Sequence, residues 1–222
     1  MYNSKSQLSY NSIVFFTGAG MSAESGVPTY RGKGGIWNEY NWEEYACESA
    51  FRSNPDLVLD FHELRRIEAL KCKPHKGHFI INEIEHAIKN TKIITQNIDG
   101  MHQRANSKDV LELHGSLWKM RCQTESTIYE DLDNGKYSSR YCDCGNILRP
   151  DIIWFQDMLK EDVVQNAIGL ISSCDLFVSI GTSAVVYPAA GFPRLAKDSG
   201  ADYVKFQTFD VDHLIHKNKV KI

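Results

Sequence analysis

The chain has 222 residues, of which 42% are hydrophobic and 24% charged, and its net charge is −3. That is enough apolar material for one good core with a small appended lobe, and the balanced charge without a basic block argues against a nucleic-acid or membrane-surface protein. No apolar run reaches the roughly 18–20 residues of a membrane span, and the polar residues 1–10 lack the apolar stretch of a signal peptide, so a cytoplasmic location is expected.

The first strand is Ser12–Thr17, built on the apolar run Ile13-Val-Phe-Phe16. Thr17 leads into Gly18-Ala19-Gly20, where the backbone is free to bend sharply and lie against a ligand. Ser22 is placed to cap a short helix. Strand, glycine turn and helix start make a phosphate cradle in which free N–H groups and the positive helix end face one spot. Gly18-x-Gly20-x-x-Ala23 matches the dinucleotide fingerprint in its Gly/Ala form. The residues after Ala23 are unlike those of a dehydrogenase. Gly26-Val27-Pro28 breaks the helix after about one turn. No strand ending in Asp or Glu comes next to hold a ribose. Tyr30, Arg31 and the glycine-rich residues 32–35 come instead. An aromatic and cationic loop over a nucleotide suits an enzyme that cuts its cofactor better than one that borrows a hydride.

Residues 30–54 read as loop and short helices rich in aromatics. Asn54-Pro55-Asp56 starts a helix that runs to about Cys72, with Leu57, Leu59, Phe61, Leu64, Ile67 and Leu70 as its apolar set. A second helix spans about 75–89, with Phe79, Ile80, Ile84 and Ile88 near helical spacing. Strands are expected at 92–95, 110–114, 151–155, 175–181 and 203–207, with helices at 161–173 and 188–199. Residues 118–148 read as short, polar and cysteine-bearing. The alternation implies an α/β fold with a doubly wound, parallel Rossmann-like sheet and a smaller second lobe. Residues 1–32, 74–116 and 150–222 are assigned to the sheet domain, 33–73 to a helical module and 117–149 to a ribbon-like module.

In such sheets ligands sit outside the carboxyl ends of the strands. Those ends carry Gly18-Ala19-Gly20, Gln96-Asn97-Ile98-Asp99, His114-Gly115 and Gly181-Thr182-Ser183, which together point to a nucleotide pocket. A lone strand-end histidine is more often structural than catalytic, but the glycine after His114 leaves its ring open to a ligand. An imidazole with a pKa near neutrality is a natural base for a ribose hydroxyl. Asn97 is placed to orient a water or hydroxyl, and Asp99 to bind a nicotinamide amide or steady a cationic centre. Of the six cysteines, Cys47, Cys72 and Cys174 are isolated and read as small core hydrophobes, whereas Cys122, Cys142 and Cys144 cluster.

The blocks running from Gly18 through Thr29-Tyr-Arg31, Thr95-Gln-Asn-Ile-Asp-Gly-Met-His102, Glu112-Leu-His-Gly115, Leu148-Arg-Pro150, Gly181-Thr-Ser183 and Val186-Tyr-Pro-Ala-Ala190 resemble the signature blocks of the sirtuin family, in the family's order. These are NAD-dependent protein lysine deacylases, and the wording is closest to the bacterial and mitochondrial branch that removes acidic acyl groups. The resemblance implies that the acyl-lysine oxygen attacks the ribose carbon as nicotinamide leaves. His114 then takes a proton from a ribose hydroxyl, and the products are free lysine, nicotinamide and O-acyl-ADP-ribose. It places Gly18, Ala19, Gly20, Ser22, Glu24, Tyr30, Arg31, Gln96, Asn97, Ile98, Asp99 and His114 around NAD, with Gly181, Thr182, Ser183 and Gln207 on the adenosine side. Trp154, Phe155, Val186 and Tyr187 would sandwich an extended acyl-lysine peptide.

The chain also departs from the family pattern. A sirtuin's small lobe carries a zinc ribbon with two Cys-x-x-Cys pairs. Here Cys122 fits the first position, Glu125 occupies the second, Tyr141 stands at the third with Cys142 one residue off register, and Cys144 fits the fourth. Three thiolates and a carboxylate would hold zinc; a degenerate, metal-free lobe is the alternative. The Tyr-x-x-Arg that reads acidic acyl groups appears as His62-Glu63-Leu64-Arg65. Phe155-Gln156-Asp157 replaces Phe-Gly-Glu, and Gln207 replaces an adenosine-binding Asn. Two other readings use the same pocket. ADP-ribosyl transfer or plain NAD cleavage would not need His114, and a non-catalytic NAD-binding module would not need Asn97, Asp99 and His114 together.

Overall fold

The structure, a computed structural model, describes residues 10–30, 35–132, 135–182 and 187–206. In chain order its elements begin β1 (Ser12–Thr17), α1 (Ala19–Ala23), α2 (Trp42–Tyr45), α3 (Glu48–Ser53), α4 (Pro55–Lys71), α5 (Lys76–Ala87), β2 (Asn90–Thr95), α6 (Met101–Arg104) and β3 (Val110–Glu112). They continue with β4 (Gly115–Cys122), β5 (Ile128–Glu130), β6 (Leu148–Ile152), α7 (Glu161–Ser172), β7 (Leu176–Ile180), α8 (Phe192–Asp198) and β8 (Asp202–Phe206).

Five strands form a parallel sheet in the order β3-β2-β1-β7-β8. The alternation of β1 explains its uninterrupted apolar run. Ile13 and Phe15 face α5 through Ile81, whereas Val14 and Phe16 pack with Ala167 and Ile171 of α7 and Phe192 and Ala196 of α8. A central parallel strand is covered on both faces, so both sets of side chains are hydrophobic.

The second sheet was the part least visible in the sequence. Gly115–Cys122, of which the part from 118 on is expected to be short, polar and cysteine-bearing, is the long strand β4, and it pairs antiparallel with β5 and β6. The apolar stretch expected as a strand at 151–155 is shifted to Leu148–Ile152 and belongs to this antiparallel sheet, not the parallel one. A short apolar run marks a buried strand without naming its partner.

Helix α4 starts as its sequence dictates: the Asn54 side-chain oxygen accepts the Leu57 N–H at 3.2 Å, with Pro55 in the first turn. The face it buries is a correction. Val58, Leu59, Phe61, His62, Arg66 and Ala69 point inward, while Leu57, Leu64 and Leu70 are exposed. The same holds in α5, where His78 and Ile81 are buried and Phe79 and Ile80 are not. In α4, apolar periodicity misplaces the face because the helix buries polar side chains that find partners. Arg66 Nη1 lies 2.9 Å from Asp131 Oδ2, and Nη2 donates to the Asp131 carbonyl at 2.6 Å. The guanidinium sits between the rings of Trp118 and Tyr137, 5.1 and 4.7 Å from their centroids. It ties α4 to the second sheet, with which α2–α4 share one apolar cluster around Phe51, Leu59, Leu117 and Trp154.

Removing one partner of such a pair strands the other charge. Arg66→Met is therefore expected to destabilise the protein by about 3 kcal/mol or more in urea unfolding. An unchanged midpoint would remove this contact from the supports of the fold.

Candidate functional site

The turn after β1 and the turn after β7 meet backbone to backbone. A Cβ on Gly18 would lie 2.8 Å from the Gly181 carbonyl oxygen, and one on Gly20 2.8 Å from Gly181 Cα. Gly181 itself has φ +64°, a conformation that favours glycine. The Gly18 N–H donates to Ile180 O at 3.0 Å and the Gly20 N–H to Gly181 O at 2.8 Å. These two amides, expected free for phosphate, are thus engaged by the neighbouring strand end. Ser22 is not the cap of α1, which begins after Gly18 with no side-chain cap; Ser22 is buried within it. As expected, α1 ends within about a turn, and Gly26 beyond it has φ +89°.

The end of β2 crosses in front of this junction. Gln96 Nε2 donates to Thr182 Oγ1 at 2.8 Å. Asn97 Nδ2 donates to the Gly18 carbonyl at 2.9 Å and to Ser22 Oγ at 3.1 Å. Asp99 is buried and its Oδ1 accepts the Met101 N–H at 2.9 Å, just ahead of α6. Burial pushes the Asp99 carboxyl above its usual range, opposed by that N–H, by Ser22 and by the Arg104 and Arg65 guanidinium groups. Ala19, Ser22, Tyr30, Arg65, Asn97, Ile98 and Asp99 line one cavity, closed by Val27, Pro28, Ala69 and Leu117. Ala69 and Leu117 come from α4 and β4, outside every motif, and only tertiary packing could have found them. Tyr30 stacks on Trp37 at 5.9 Å, and the Arg65 guanidinium carbon lies 6.0 Å from the Tyr30 ring centre.

His114 comes just after β3 and is not among the residues that line the cavity. Its Nδ1 is 2.9 Å from the Gln96 carbonyl oxygen. That oxygen only accepts, so Nδ1 carries the hydrogen and Nε2 keeps its lone pair. Burial lowers the His114 pKa, with the Gln96 carbonyl opposing, so the ring is neutral at pH 7. The glycine after it serves a different purpose from the one expected. Gly115 has φ +75°, and a Cβ there would overlap the Asp151 carbonyl of β6.

The remaining predicted residues divide. Glu24 is exposed and its Oε2 lies 3.7 Å from His75 Nδ1, away from the cavity lining. His62 cannot stand in for a tyrosine hydroxyl. Its Nε2 accepts from Trp154 Nε1 at 2.8 Å inside the core, and burial holds its pKa down at about 3. Trp154 is 4% exposed and belongs to that core instead of facing a peptide. Phe155 is half-buried against Trp37 and Trp42, at ring distances of 5.4 and 4.8 Å. Gln156, where the family has glycine, is exposed and holds φ +74°. Tyr187 is 81% exposed. Arg31, Ser183, Val186 and Gln207 lie outside the described residues.

Residues 18–188 match the Sir2 family. The chain belongs to that family. It is 44% identical over 195 residues to an NAD-dependent protein deacylase of Aquifex aeolicus, covering 87% of this chain and 82% of the relative. It is 45% identical over 193 residues to NAD-dependent protein deacylase 2 of Pyrobaculum aerophilum, covering 86% and 78%. Its fold superposes on the crystal structure of a Sir2 homologue–NAD complex with a TM-score of 0.80 at 39% identity, over 88% of this chain and 77% of that one.

Cys122, Glu125, Cys142 and Cys144 come together, their ligand atoms all within 4.8 Å of one another. Cys122 Sγ is 3.6 Å from Cys144 Sγ, close to the roughly 3.8 Å between two thiolates on one tetrahedral zinc. Cys142 Sγ is 3.3 Å from Glu125 Oε2. The register slip is absorbed locally: Tyr141 turns outward, 61% exposed, and Cys142 turns in. The donor set fits a structural zinc, which would join the turn after β4 to the approach to β6. The purified protein is expected to carry about one equivalent of zinc by metal analysis, and Cys144→Ser to release it to a chelator at least about tenfold more readily. Protein purified without metal, or equal retention by the variant, would exclude the site.

Proposed function

We propose that this chain is an NAD-dependent protein lysine deacylase whose reaction runs in the cavity at the ends of β1 and β2. The observation that carries the reading is a neutral histidine, held in one tautomer by the Gln96 carbonyl at the end of β2, where the next residue, Asn97, bonds the dinucleotide turn at Gly18 and Asp99 is buried. NAD supplies the ADP-ribosyl group that accepts the acyl chain, with nicotinamide as the leaving group. Asn97 orients the ribose end and the attacking oxygen. Asp99, buried and within the field of the Arg104 and Arg65 charges without an ion pair to either, holds the nicotinamide end. His114 takes the ribose hydroxyl proton on Nε2, while its Nδ1–H bond to Gln96 steadies the imidazolium that results. Tyr30 and the turn at Val27 and Pro28 keep water from the reacting carbon.

The acyl group is acidic in this reading. Arg65 reaches the cavity beside Tyr30 and has no carboxylate ion-pair partner among the described residues, so a succinyl or malonyl carboxylate would supply one. The hydroxyl next to it is that of Tyr30, not a group from position 62. Tyr187 and Phe155 remain the candidates for contact with the peptide.

The defining experiment is incubation with NAD and acetyl-, succinyl- or malonyl-lysine peptides, with products weighed. O-acyl-ADP-ribose is expected; nicotinamide release at the same rate without peptide would mean NAD cleavage instead. His114→Ala should lower product formation by roughly 10²–10⁴-fold. Because the His114 pKa is lowered, the base stays deprotonated through neutrality, and kcat/KM should fall only as pH drops below about 6.5. A limb above that value would assign the base elsewhere. Arg65→Met should reduce desuccinylation by about tenfold more than deacetylation; equal losses would sink the acidic pocket.

A further inference from the structure

A chain of buried hydrogen bonds runs away from the cavity to a histidine that the proposed reaction does not use. Thr17 and Thr95 are paired in register at the ends of β1 and β2, and their hydroxyl oxygens are 2.9 Å apart. The Asn97 N–H donates to Thr95 Oγ1 at 3.0 Å. On the other side, His102 Nε2 lies 3.0 Å from Thr17 Oγ1. Thr17 gives its proton to Thr95, so it accepts from His102, whose hydrogen is therefore on Nε2. Donation runs in one direction, from His102 to Thr17 to Thr95, and the same Thr95 oxygen takes the Asn97 amide. From Asn97 the chain continues through Nδ2 to Gly18 O and Ser22 Oγ, on the cavity wall. No member from His102 to Asn97 is more than 6% exposed.

His102 is otherwise a poor fit to its surroundings. Its Nδ1 has no partner among the described residues, and neither nitrogen of His78, whose ring stands edge-on at 5.0 Å, has one. Burial keeps both rings neutral, His102 with a pKa of about 4 and His78 of about 3. A leucine would fill this space without leaving a buried acceptor unpaired. The bond to Thr17 is what an imidazole adds here.

We propose that His102 is a positioning residue for the dinucleotide. Through Thr17 and Thr95 it sets the backbone of Asn97, and so the amide that clamps Gly18 and Ser22. This rests on reading the cavity as the NAD site. Four variants of the full chain test it: His102→Leu, Thr17→Val, the double variant, and His102→Gln, whose amide reaches about as far as Nε2. KM for NAD, KM for acyl-peptide, kcat and Tm are measured for each. His102→Leu and Thr17→Val should each raise KM for NAD by roughly fivefold to tenfold, with KM for peptide unchanged. The double variant should be no worse than either single, because both cut one chain. His102→Gln should restore KM for NAD. Thr17→Val keeps the side-chain volume, so the test stands even if His102→Leu does not fold. A lowered Tm with KM for NAD unchanged would reduce His102 to a support of the fold, and additive effects would break the relay. A wild-type protein that does not saturate with NAD would instead overturn the cavity reading and the relay with it.

Discussion

Two turns that touch without side chains between them decide where this molecule works. Gly181 lies so close to Gly18 and Gly20 that no Cβ fits at any of the three. The bonds from the Gly18 and Gly20 amides to Ile180 and Gly181 lock the ends of β1 and β7 together. With that side closed, the end of β2 is left to face the open side. There Gln96 reaches back to Thr182 and Asn97 to Gly18, and the cavity forms between them and Tyr30. The glycines of the dinucleotide fingerprint thus act first on the protein's own backbone.

The other wall of the cavity is set by cations buried under aromatic rings. Arg149 lies 3.7 Å from the Trp154 ring centre and pairs with Asp157 at 2.7 Å. Trp154 in turn donates to His62, which pins α4 with that residue inward. Arg65 is three positions further on, about 60° around the helix from His62 on the side away from Arg66, and lines the cavity. Arg66, next to it, is drawn inward by Asp131 between Trp118 and Tyr137. Adjacent arginines on one helix therefore have opposite fates, one a strut and the other a candidate for reading the acyl group. Charge count alone distinguishes neither.

Much of the fold was legible because its signals are local. The apolar run of β1, the Asn54-Pro55 start of α4 and the break at Gly26-Val27-Pro28 each depend on residues a few positions apart, and each is where the sequence puts it. The buried faces of α4 and α5 were not legible. His62, Arg66 and His78 are inside, and a rule that sends polar residues outward has no means of seeing the partners of the first two, Trp154 and Asp131, across the fold. The antiparallel sheet was lost for a similar reason: β4 and β6 pair through residues about thirty positions apart, and Gly115 reveals its purpose only against Asp151.

By itself, then, the sequence determined the family, the parallel α/β plan and the set of residues at the strand ends, since all of these are written in short motifs and local periodicity. Tertiary structure alone decided which of those residues meet. It withdrew His62 and Trp154 into the core, turned Cys142 in place of Tyr141 toward Cys122, Glu125 and Cys144, and gave the Gly18 and Gly20 amides to a neighbouring strand. It also linked His102 to Asn97 through two hydroxyls. A buried polar group must find a partner wherever the chain brings one near, and which partner that is depends on strands paired across more than seventy residues.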